Sequence, residues 1–254
     1  MNGDGPPSLP PLAPWSERLR VRAGEAGPGS LLRLPALCDW LQEAAGNNAT
    51  DLGWGTRALL PRGLTWVLSR LHVEVPSLPR WRDEAVVETW PSGVRRLWAL
   101  REFRVAGADG TLHAVATSGW LLLKVASKRP MRPAAEIVSV GEASPPRLVD
   151  DPFDDLPSAV GGAPGLTFRV GRTDLDLNGH ANNVALLKAF FEACPAPVLE
   201  PLVSFEADFR GEAFEGDLLE ARSLPGEGSV SVSLVRLPDG RELLRGRASR
   251  PSPA

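Results

Sequence analysis

The sequence predicts an α+β fold in which one unit, a long helix followed by an antiparallel sheet, occurs twice. Three observations predict it. Each half has an apolar stripe at helical spacing, a group of short β-like segments after that stripe, and an Asp-Gly pair in its last predicted hairpin. A repeat of this kind is too short for a solenoid, so it indicates a duplicated domain.

The first unit begins with a predicted helix over residues 34–52, where apolar side chains recur every three or four positions. Short segments rich in Val, Leu and Trp follow and predict four strands, over residues 64–75, 85–90, 97–105 and 112–123. The last two flank Asp109-Gly110. This pair favours a hairpin because a two-residue turn needs the positive φ that glycine adopts freely.

The second unit repeats this order. Its helical stripe runs from Val184 to Cys194, and Pro195 ends it. Strands are predicted over residues 202–209, 218–223, 230–237 and 243–248, with Asp239-Gly240 in the last hairpin. Aligning Gln42 with Phe191 places the second helix 149 positions (191 − 42) after the first.

This reading divides the chain into four parts. Residues 1–16, rich in Pro and Gly, are predicted to be a disordered tail, and residues 17–129 form the first unit. Residues 130–164 are rich in Pro, Ala, Ser and Asp and are interpreted as a connector. Residues 165–250 form the second unit.

Composition excludes several classes of protein. The chain has 254 residues, 43% of them hydrophobic, and a net charge of −3, so it lacks the overall positive charge of nucleic-acid or anionic-membrane binders. No signal-peptide pattern or membrane-spanning apolar run is found, and a cytoplasmic protein is expected. Two cysteines cannot build a disulfide framework or a metal cluster, and Cys38 and Cys194 are expected to be buried free thiols.

Polar residues with catalytic potential precede the second helix. Asp174, Asp176, Asn178 and His180 occupy every second position, which in an extended segment places them on one face. The helix begins just after them, with Asn182 or Asn183 as its predicted N-cap, so its positive end would lie beside these side chains. The simpler alternative is a polar loop that caps a helix, because Asp, Asn and Gly are common turn residues.

A second motif makes the simpler alternative less favoured. In FRGEAFEGD, Glu212 follows a predicted strand of the second unit. DLDLNGHANN and FRGEAFEGD together resemble the acyl-acyl carrier protein (acyl-ACP) thioesterases of plants and bacteria, which are tandem hotdog proteins. The first half matches in QEAAGNNA, TWVLSRLHVEV, WRDEAVVETWP and ATSGWLLL. The resemblance extends from about Val21 to Arg247 and is poor in the connector.

The resemblance implies a tandem (double) hotdog, each unit a long helix wrapped by a curved antiparallel sheet. It also implies hydrolysis of fatty acyl-ACP without a metal or organic cofactor. The catalytic residues would be Asp176, Asn178, His180 and Glu212. The sequence departs from the family twice. Ala181 stands where Val is usual, which would widen the site, and Ala213 stands where many members have Cys, which excludes a cysteine nucleophile there.

Two mechanisms remain open for this set. Asp176 could attack the thioester carbonyl and form a mixed anhydride that water then cleaves. Alternatively, Asp176 or Glu212 could act as a general base on water that Asn178 and His180 position, and this route is favoured. The 149-residue offset pairs Asp176, Asn178 and His180 with Gly27, Gly29 and Leu31, which predicts one active site per chain.

The remaining predictions concern substrate and partner. The resemblance implies an acyl groove mainly in the first half, although core packing also explains each side chain proposed to line it: Trp40, Leu41, Trp66, Leu68 and Trp120. Acyl carrier protein is acidic, so basic residues are docking candidates, with a solvated face as the alternative. These candidates are Arg95, Arg96, Arg101 and Arg104 and, separately, Lys128, Arg129 and Arg132.

Other functions are compatible with the same sequence. An acyl-CoA or polyketide-type thioesterase is the enzyme alternative, and a non-catalytic acyl-binding or carrier-interaction module is the alternative from another class. Because the chain already contains two units, either a monomer or a homodimer is expected.

Overall fold

The computed structural model describes residues 12–195 and 204–250. The first half contains five long strands and two helices. In chain order they are β1 (Trp15–Arg20), α1 (Leu34–Asp51), α2 (Thr56–Leu59), β2 (Leu64–Glu74), β3 (Glu84–Arg95), β4 (Trp98–Gly107) and β5 (Leu112–Lys124).

The connector and the second half follow. The connector contains the short strand β6 (Pro130–Met131) and helix α3 (Ala135–Glu142). The second half contains β7 (Ala163–Arg169), α4 (Asn183–Ala193), β8 (Ser204–Phe209), β9 (Leu218–Gly226), β10 (Ser229–Arg236) and β11 (Arg241–Ser249). The predicted order of a long helix followed by antiparallel strands is therefore present in both halves.

All these strands belong to one sheet. Its order is β1-β3-β4-β5-β2-β8-β11-β10-β9-β7, with β6 added beside β5, and the pairs are antiparallel. Read outward from the central β2–β8 pair, the two halves have the same strand order. The duplication predicted from the hairpins is therefore a two-fold-like repeat within a continuous sheet.

The core lies between the two long helices and one face of this sheet. Leu37 and Leu41 of α1 and Leu187 and Phe190 of α4 are fully buried in it. Cys38 and Cys194 are buried and unbonded to each other, as predicted, and burial raises the pKa of the Cys194 thiol to about 12.

Strand alternation separates this core from a charged layer on the opposite face. Leu71 and Val73 of β2 face the helices, so Arg70 and His72 point away from them. The connector covers the outer face. Its Asp151 is fully buried and pairs with Arg70, and Leu148 donates its backbone N–H to the Glu102 carboxylate at 3.0 Å. Residues 130–164 are thus packed onto the sheet along much of their length.

The predicted boundaries needed some correction. Trp15 and Ser16 already pair with Thr89 and Glu88, so a disordered tail reaching residue 16 was wrong at that end. Residues 1–11 of the predicted tail lie outside the described residues, as do residues 202 and 203 of the strand predicted over 202–209. The sequence reading also missed the edge strands β1 and β7 and helix α3.

Candidate active site

The segment before α4 is a tight turn, so the prediction of an extended segment with alternating side chains on one face was wrong. Leu175 and Ala181 form a β-bridge, and Gly179 adopts φ 76° between them. The Asp176 N–H donates to the His180 carbonyl at 2.7 Å. The positive φ at glycine closes the turn, and it brings residues 176–180 together at one end of α4.

Asp176 holds this turn with its carboxylate. Oδ1 accepts the backbone N–H groups of Asn178 at 2.8 Å and His180 at 3.2 Å, and Oδ2 accepts from the Asn178 side-chain amide at 3.3 Å. Asp176, Asn178 and His180 are therefore brought together, as predicted. Asp174 has a different role, because its Oδ2 accepts the Gly171 N–H at 2.8 Å and closes the preceding turn.

Helix α4 begins directly after this turn. Asn182 is the N-cap, one of the two residues predicted for that role, and its Oδ1 accepts the Val184 N–H at 2.9 Å. The first N–H groups of a helix lack partners within it, and they carry the positive end of the helix dipole. The turn that carries Asp176 and His180 therefore lies at the end of the helix where negative charge is stabilised.

Glu212 lies beside this turn, as the family resemblance implies. The Ala181 N–H donates to the Ala213 carbonyl at 2.8 Å, which fixes the two chain segments next to each other. His180 Nδ1 lies 3.7 Å from Glu212 Oε1, and the imidazole meets the Phe214 ring edge to face at a centroid distance of 5.1 Å. The His180 and Glu212 side chains are 30% and 37% exposed, so substrate and water can reach both.

A lysine from the first half also reaches this site. Lys128, in the turn after β5, forms an ion pair with Glu212 Oε2. The sequence reading assigned Lys128 to carrier docking, and nothing in the local pattern indicated a contact across 84 positions of the chain. The site thus combines three elements: the turn before α4, the segment after β8, and the β5–β6 turn of the other half.

The residues predicted to line the acyl groove lie in two places. Trp40 and Leu41 belong to α1 and are buried in the core, where Trp40 Nε1 donates to Glu25 at 3.2 Å. Trp66, Leu68 and Trp120 lie on the paired strands β2 and β5, with Leu68 directly opposite Trp120.

The basic residues predicted for docking also separate. Arg95, Arg96, Arg129 and Arg132 are exposed. Arg104 is half-buried and pairs with Glu88 at 2.8 Å. Arg101 is buried and donates to Asn48 and Thr89, and burial lowers its pKa to about 10, so its prediction as a docking residue was wrong.

One cluster outside this site has donors suited to a metal. His72, Asp151 and Glu206 place one nitrogen and two carboxylate oxygens within 4.8 Å of one another. Arg70 already binds both carboxylates, Asp151 at 3.0 Å and Glu206 at 2.7 Å. The guanidinium therefore supplies the positive charge that these acids require, and the cluster is a structural ion network joining β2, β8 and the connector.

The first half contains a turn that corresponds in position to the one that carries Asp176 and His180. Helices α1 and α4 begin 149 positions apart (183 − 34), which is the predicted offset. The β-bridges Ala26–Leu32 and Leu175–Ala181 have the same separation. Gly27, Gly29 and Leu31 therefore occupy the positions of Asp176, Asn178 and His180, as the sequence alignment predicted.

Comparisons with known proteins identify the family. The family model described as the acyl-ACP thioesterase N-terminal domain matches residues 14–140, half of the 254-residue chain. This chain belongs to the acyl-ACP thioesterase family. It is 30% identical to a chloroplastic palmitoyl-acyl carrier protein thioesterase from Cuphea hookeriana, over 92% of this chain and 61% of that protein. The chain therefore spans about three fifths of the length of this plant relative.

Solved structures confirm the tandem hotdog fold. An acyl-ACP thioesterase from Bacteroides thetaiotaomicron superposes with a TM-score of 0.83 at 24% identity, covering 93% of this chain and 97% of that one. The 12:0-ACP thioesterase from Umbellularia californica superposes with a TM-score of 0.79 at 26% identity, covering 94% and 98%. Both likenesses include the two halves and the connector between them.

Proposed function

We propose that the protein hydrolyses the thioester of fatty acyl-ACP, releases the free fatty acid and thereby ends chain elongation. The observation that carries the proposal is the meeting of Asp176, Asn178 and His180 with Glu212 at the N-terminal end of α4. A carboxylate, an amide and an imidazole at one solvent-accessible site can activate water and stabilise an oxyanion. Membership in the acyl-ACP thioesterase family supports the same reaction.

The proposed chemistry is direct attack by water. Asp176 or Glu212 takes a proton as the water oxygen bonds to the thioester carbon, and Asn178 and His180 position the water and the developing oxyanion. The tetrahedral intermediate then collapses, the C–S bond breaks, and the leaving thiolate takes up the proton. Glu212 faces Nδ1 of His180 at 3.7 Å, so it can also orient the imidazole.

The rival route makes Asp176 the nucleophile. Its carboxylate would bond to the acyl carbon, expel the thiolate and leave a mixed anhydride for water to cleave. When water cleaves this anhydride at its aspartyl carbonyl, a single turnover in oxygen-18 water places the label in Asp176, where mass spectrometry of the peptide that contains it detects the label. Direct attack places the label in the fatty acid alone, and label in Asp176 would rule this route out.

A hydrolysis panel tests the proposed function. Saturated and unsaturated acyl chains would be presented on acyl carrier protein and on coenzyme A, and higher kcat/KM is expected on the carrier. Preference for acyl-CoA would instead support the acyl-CoA thioesterase alternative. Binding of acyl chains without hydrolysis on either carrier would support the non-catalytic alternative.

Carrier docking is proposed at the exposed residues Arg95, Arg96, Lys128, Arg129 and Arg132, of which Lys128 also pairs with Glu212. Arginine side chains complement an acidic partner, and charge reversal at such a surface mainly affects association. Changing Arg129 and Arg132 to Glu should raise KM for carrier-linked substrate only. Arg57→Glu, at an exposed position of α2, is the control, and an equal effect on acyl-CoA would contradict docking here.

The other predictions about the whole protein stay predictions. No helix in the described residues is long and apolar enough to cross a membrane. A cytoplasmic location, a monomer or homodimer, and activity without a cofactor are proposed on the sequence evidence. The acyl wall formed by Trp40, Leu41, Trp66, Leu68 and Trp120 is likewise a sequence-based proposal.

A further inference from the structure

The Glu212 carboxylate lies between two groups that come from different halves of the chain. Its Oε1 atom faces Nδ1 of His180 at 3.7 Å, and its Oε2 atom accepts a hydrogen bond from Nζ of Lys128. One oxygen therefore faces the proposed reacting imidazole, while an ammonium group holds the other. Because a carboxylate is planar and such charge-assisted bonds are directional, the cation on one side determines where the other oxygen points.

The chain around Glu212 does not fix this side chain by itself. Residues 210–217 connect β8 to β9 and contain no helix or strand. The Ala213 carbonyl accepts the Ala181 N–H at 2.8 Å, which holds the backbone beside the turn but leaves the side-chain torsions of Glu212 free. A long side chain that is 37% exposed has several accessible rotamers. A partner is therefore needed to select the rotamer that faces His180.

The backbone of Lys128 supports a role for its side chain. Lys128 lies in the turn between β5 and β6, where its N–H donates to the Lys124 carbonyl at 2.8 Å. Its φ of 53° is in the left-handed region, which glycine adopts freely and which is unfavourable for other residues. The turn alone would favour glycine at this position, and the contact with Glu212 accounts for a lysine there.

We propose that Lys128 is a positioning residue whose ammonium group holds Glu212 in the rotamer that faces His180, an inference that rests on the proposed function. The first half, which lacks the four proposed catalytic side chains, thereby takes part in the reaction. Docking alone would make Lys128 affect association with the acidic carrier, whereas positioning makes it affect the chemical step.

Removing the ammonium group tests the proposal. Lys128→Met should lower kcat for acyl-ACP by roughly three- to tenfold and leave KM within about twofold, because the reacting groups remain but are aligned less often. Lys124→Met, at an exposed lysine four residues earlier, is the matched control and should leave kcat within about twofold. An unchanged kcat in Lys128→Met, with or without a higher KM, would overturn the proposal.

Lys128→Gly separates positioning from a structural role in the turn. Glycine adopts this φ without strain, which offsets the greater freedom it gives the unfolded chain, so Tm should stay close to that of the wild type. The kcat should nevertheless fall as far as in Lys128→Met. A wild-type kcat, or a loss of activity that only accompanies a lower Tm, would contradict positioning.

A double-mutant cycle tests whether Lys128 acts through Glu212. In the Glu212→Ala background the carboxylate is missing, so adding Lys128→Met should slow single-turnover hydrolysis by less than about twofold. A further loss as large as the one in the wild-type background would mean that Lys128 acts independently of Glu212, and the proposal would fail.

A measurement that needs no hydrolysis distinguishes this inference from the proposed function. The chain has three histidines, so the imidazole NMR signals of His180 can be assigned by comparison with His180→Ala. Lys128→Met should shift these signals and Lys124→Met should not, because only the first releases Glu212. Unshifted signals in a protein that hydrolyses acyl-ACP would overturn the positioning role alone. Shifted signals without hydrolysis on either carrier would contradict the proposed function alone.

Discussion

The turns that precede α1 and α4 share a β-bridge and a closing hydrogen bond but have different side chains. In the first, the Gly27 N–H donates to the Leu31 carbonyl at 2.9 Å; in the second, the Asp176 N–H donates to the His180 carbonyl at 2.7 Å. Positive φ occurs at Gly29 and Ser30 in one turn and at Gly179 in the other. The turn therefore closes without the carboxylate, amide and imidazole.

This comparison separates structural from functional carboxylates. Asp174 accepts the Gly171 N–H at 2.8 Å, and its counterpart Glu25 accepts the Arg22 N–H at 2.8 Å, so an acid closes this turn in both halves. Asp176 corresponds to Gly27. Its carboxylate accepts two backbone N–H groups in the second turn. The first turn closes with a glycine at this position, so closing such a turn does not account for the choice of Asp, and a chemical role is expected.

The same reasoning applies to Glu212. The segments after β2 and β8 share a turn in which Asp83 accepts the Arg80 N–H at 2.8 Å and Asp217 accepts the Phe214 N–H at 3.0 Å. The two turns are 134 positions apart in the chain (217 − 83), so the residue of the first half that corresponds to Glu212 is Leu78. All four proposed catalytic residues are thus confined to the second half.

Alanine substitutions at corresponding positions of the two turns are expected to differ most in their effect on kcat. His180→Ala should lower kcat by roughly 10²–10⁴-fold, the usual contribution of a positioned acid–base group. Leu31→Ala makes a similar truncation at the corresponding position of the first half and should leave kcat within about twofold, because no reacting group lies there. Steady-state hydrolysis of one acyl-ACP substrate measures both. A comparable loss in Leu31→Ala would mean that the first turn also takes part in the reaction.

The next test concerns the ion pairs of Arg70, which connect the two halves of the sheet. The Arg70 side chain is 4% exposed and contacts Asp151, Glu206 and Asp208 at 3.0, 2.7 and 2.9 Å. Arg70→Met leaves these acids without their shared cation, so the free energy of unfolding should fall by about 3–5 kcal/mol in urea titration.

Arg104→Met is the matched control for Arg70→Met. Arg104 pairs with Glu88 at 2.8 Å but is 41% exposed, and exposed pairs contribute only about 0–1 kcal/mol. Equal losses in the two variants would show that the central network does not hold the halves together more strongly than a surface pair does.

Protonation of Asp151 at low pH should lower the free energy of unfolding by a smaller amount. Burial alone would raise the pKa of Asp151, but contacts with His72 and Arg70 outweigh it and hold the pKa well below its ordinary value of 3.8. A group whose pKa is depressed in the folded state stabilises the protein above its unfolded-state pKa, and this contribution is lost as the pH falls through the folded-state pKa.

The unfolding free energy of the wild-type protein should therefore decline as the pH falls below about 4. Asp151→Asn should show a shallower decline over the same interval, because it lacks the group that takes up the proton. Parallel curves for the two proteins would assign the acid sensitivity to other carboxylates.

Local sequence patterns predicted the repeated helices and hairpins and part of the candidate site. The helical stripes predicted α1 and α4, the Asp-Gly pairs predicted both hairpins, and the offset between the helices was correct. The DLDLNGHANN motif grouped Asp176 with His180 because they are close in the chain. Glu212 was found through the family resemblance, since no local pattern connects it to that turn.

Long-range features were not accessible from local patterns. The alternation of polar residues suggested an extended segment, but Gly179 and the Asp176 carboxylate fold it into a turn. Arg101 has the sequence context of a surface arginine, yet strand register places it beneath α1, where Asn48 accepts its hydrogen bond. The contact of Lys128 with Glu212 depends on how the two halves join, which neither segment specifies alone.

The most direct test measures single-turnover hydrolysis and thermal stability together for Asp176→Asn and Asp109→Asn. Both acids accept a backbone N–H two residues ahead, at 2.8 Å from Asn178 and 3.0 Å from Thr111, but Asp109 lies in the β4–β5 hairpin away from the site. Asp176→Asn should slow hydrolysis by about 10²–10⁴-fold with Tm close to wild type, and Asp109→Asn should hydrolyse normally. Hydrolysis by Asp176→Asn at the wild-type rate would contradict the assignment of catalysis to the second turn.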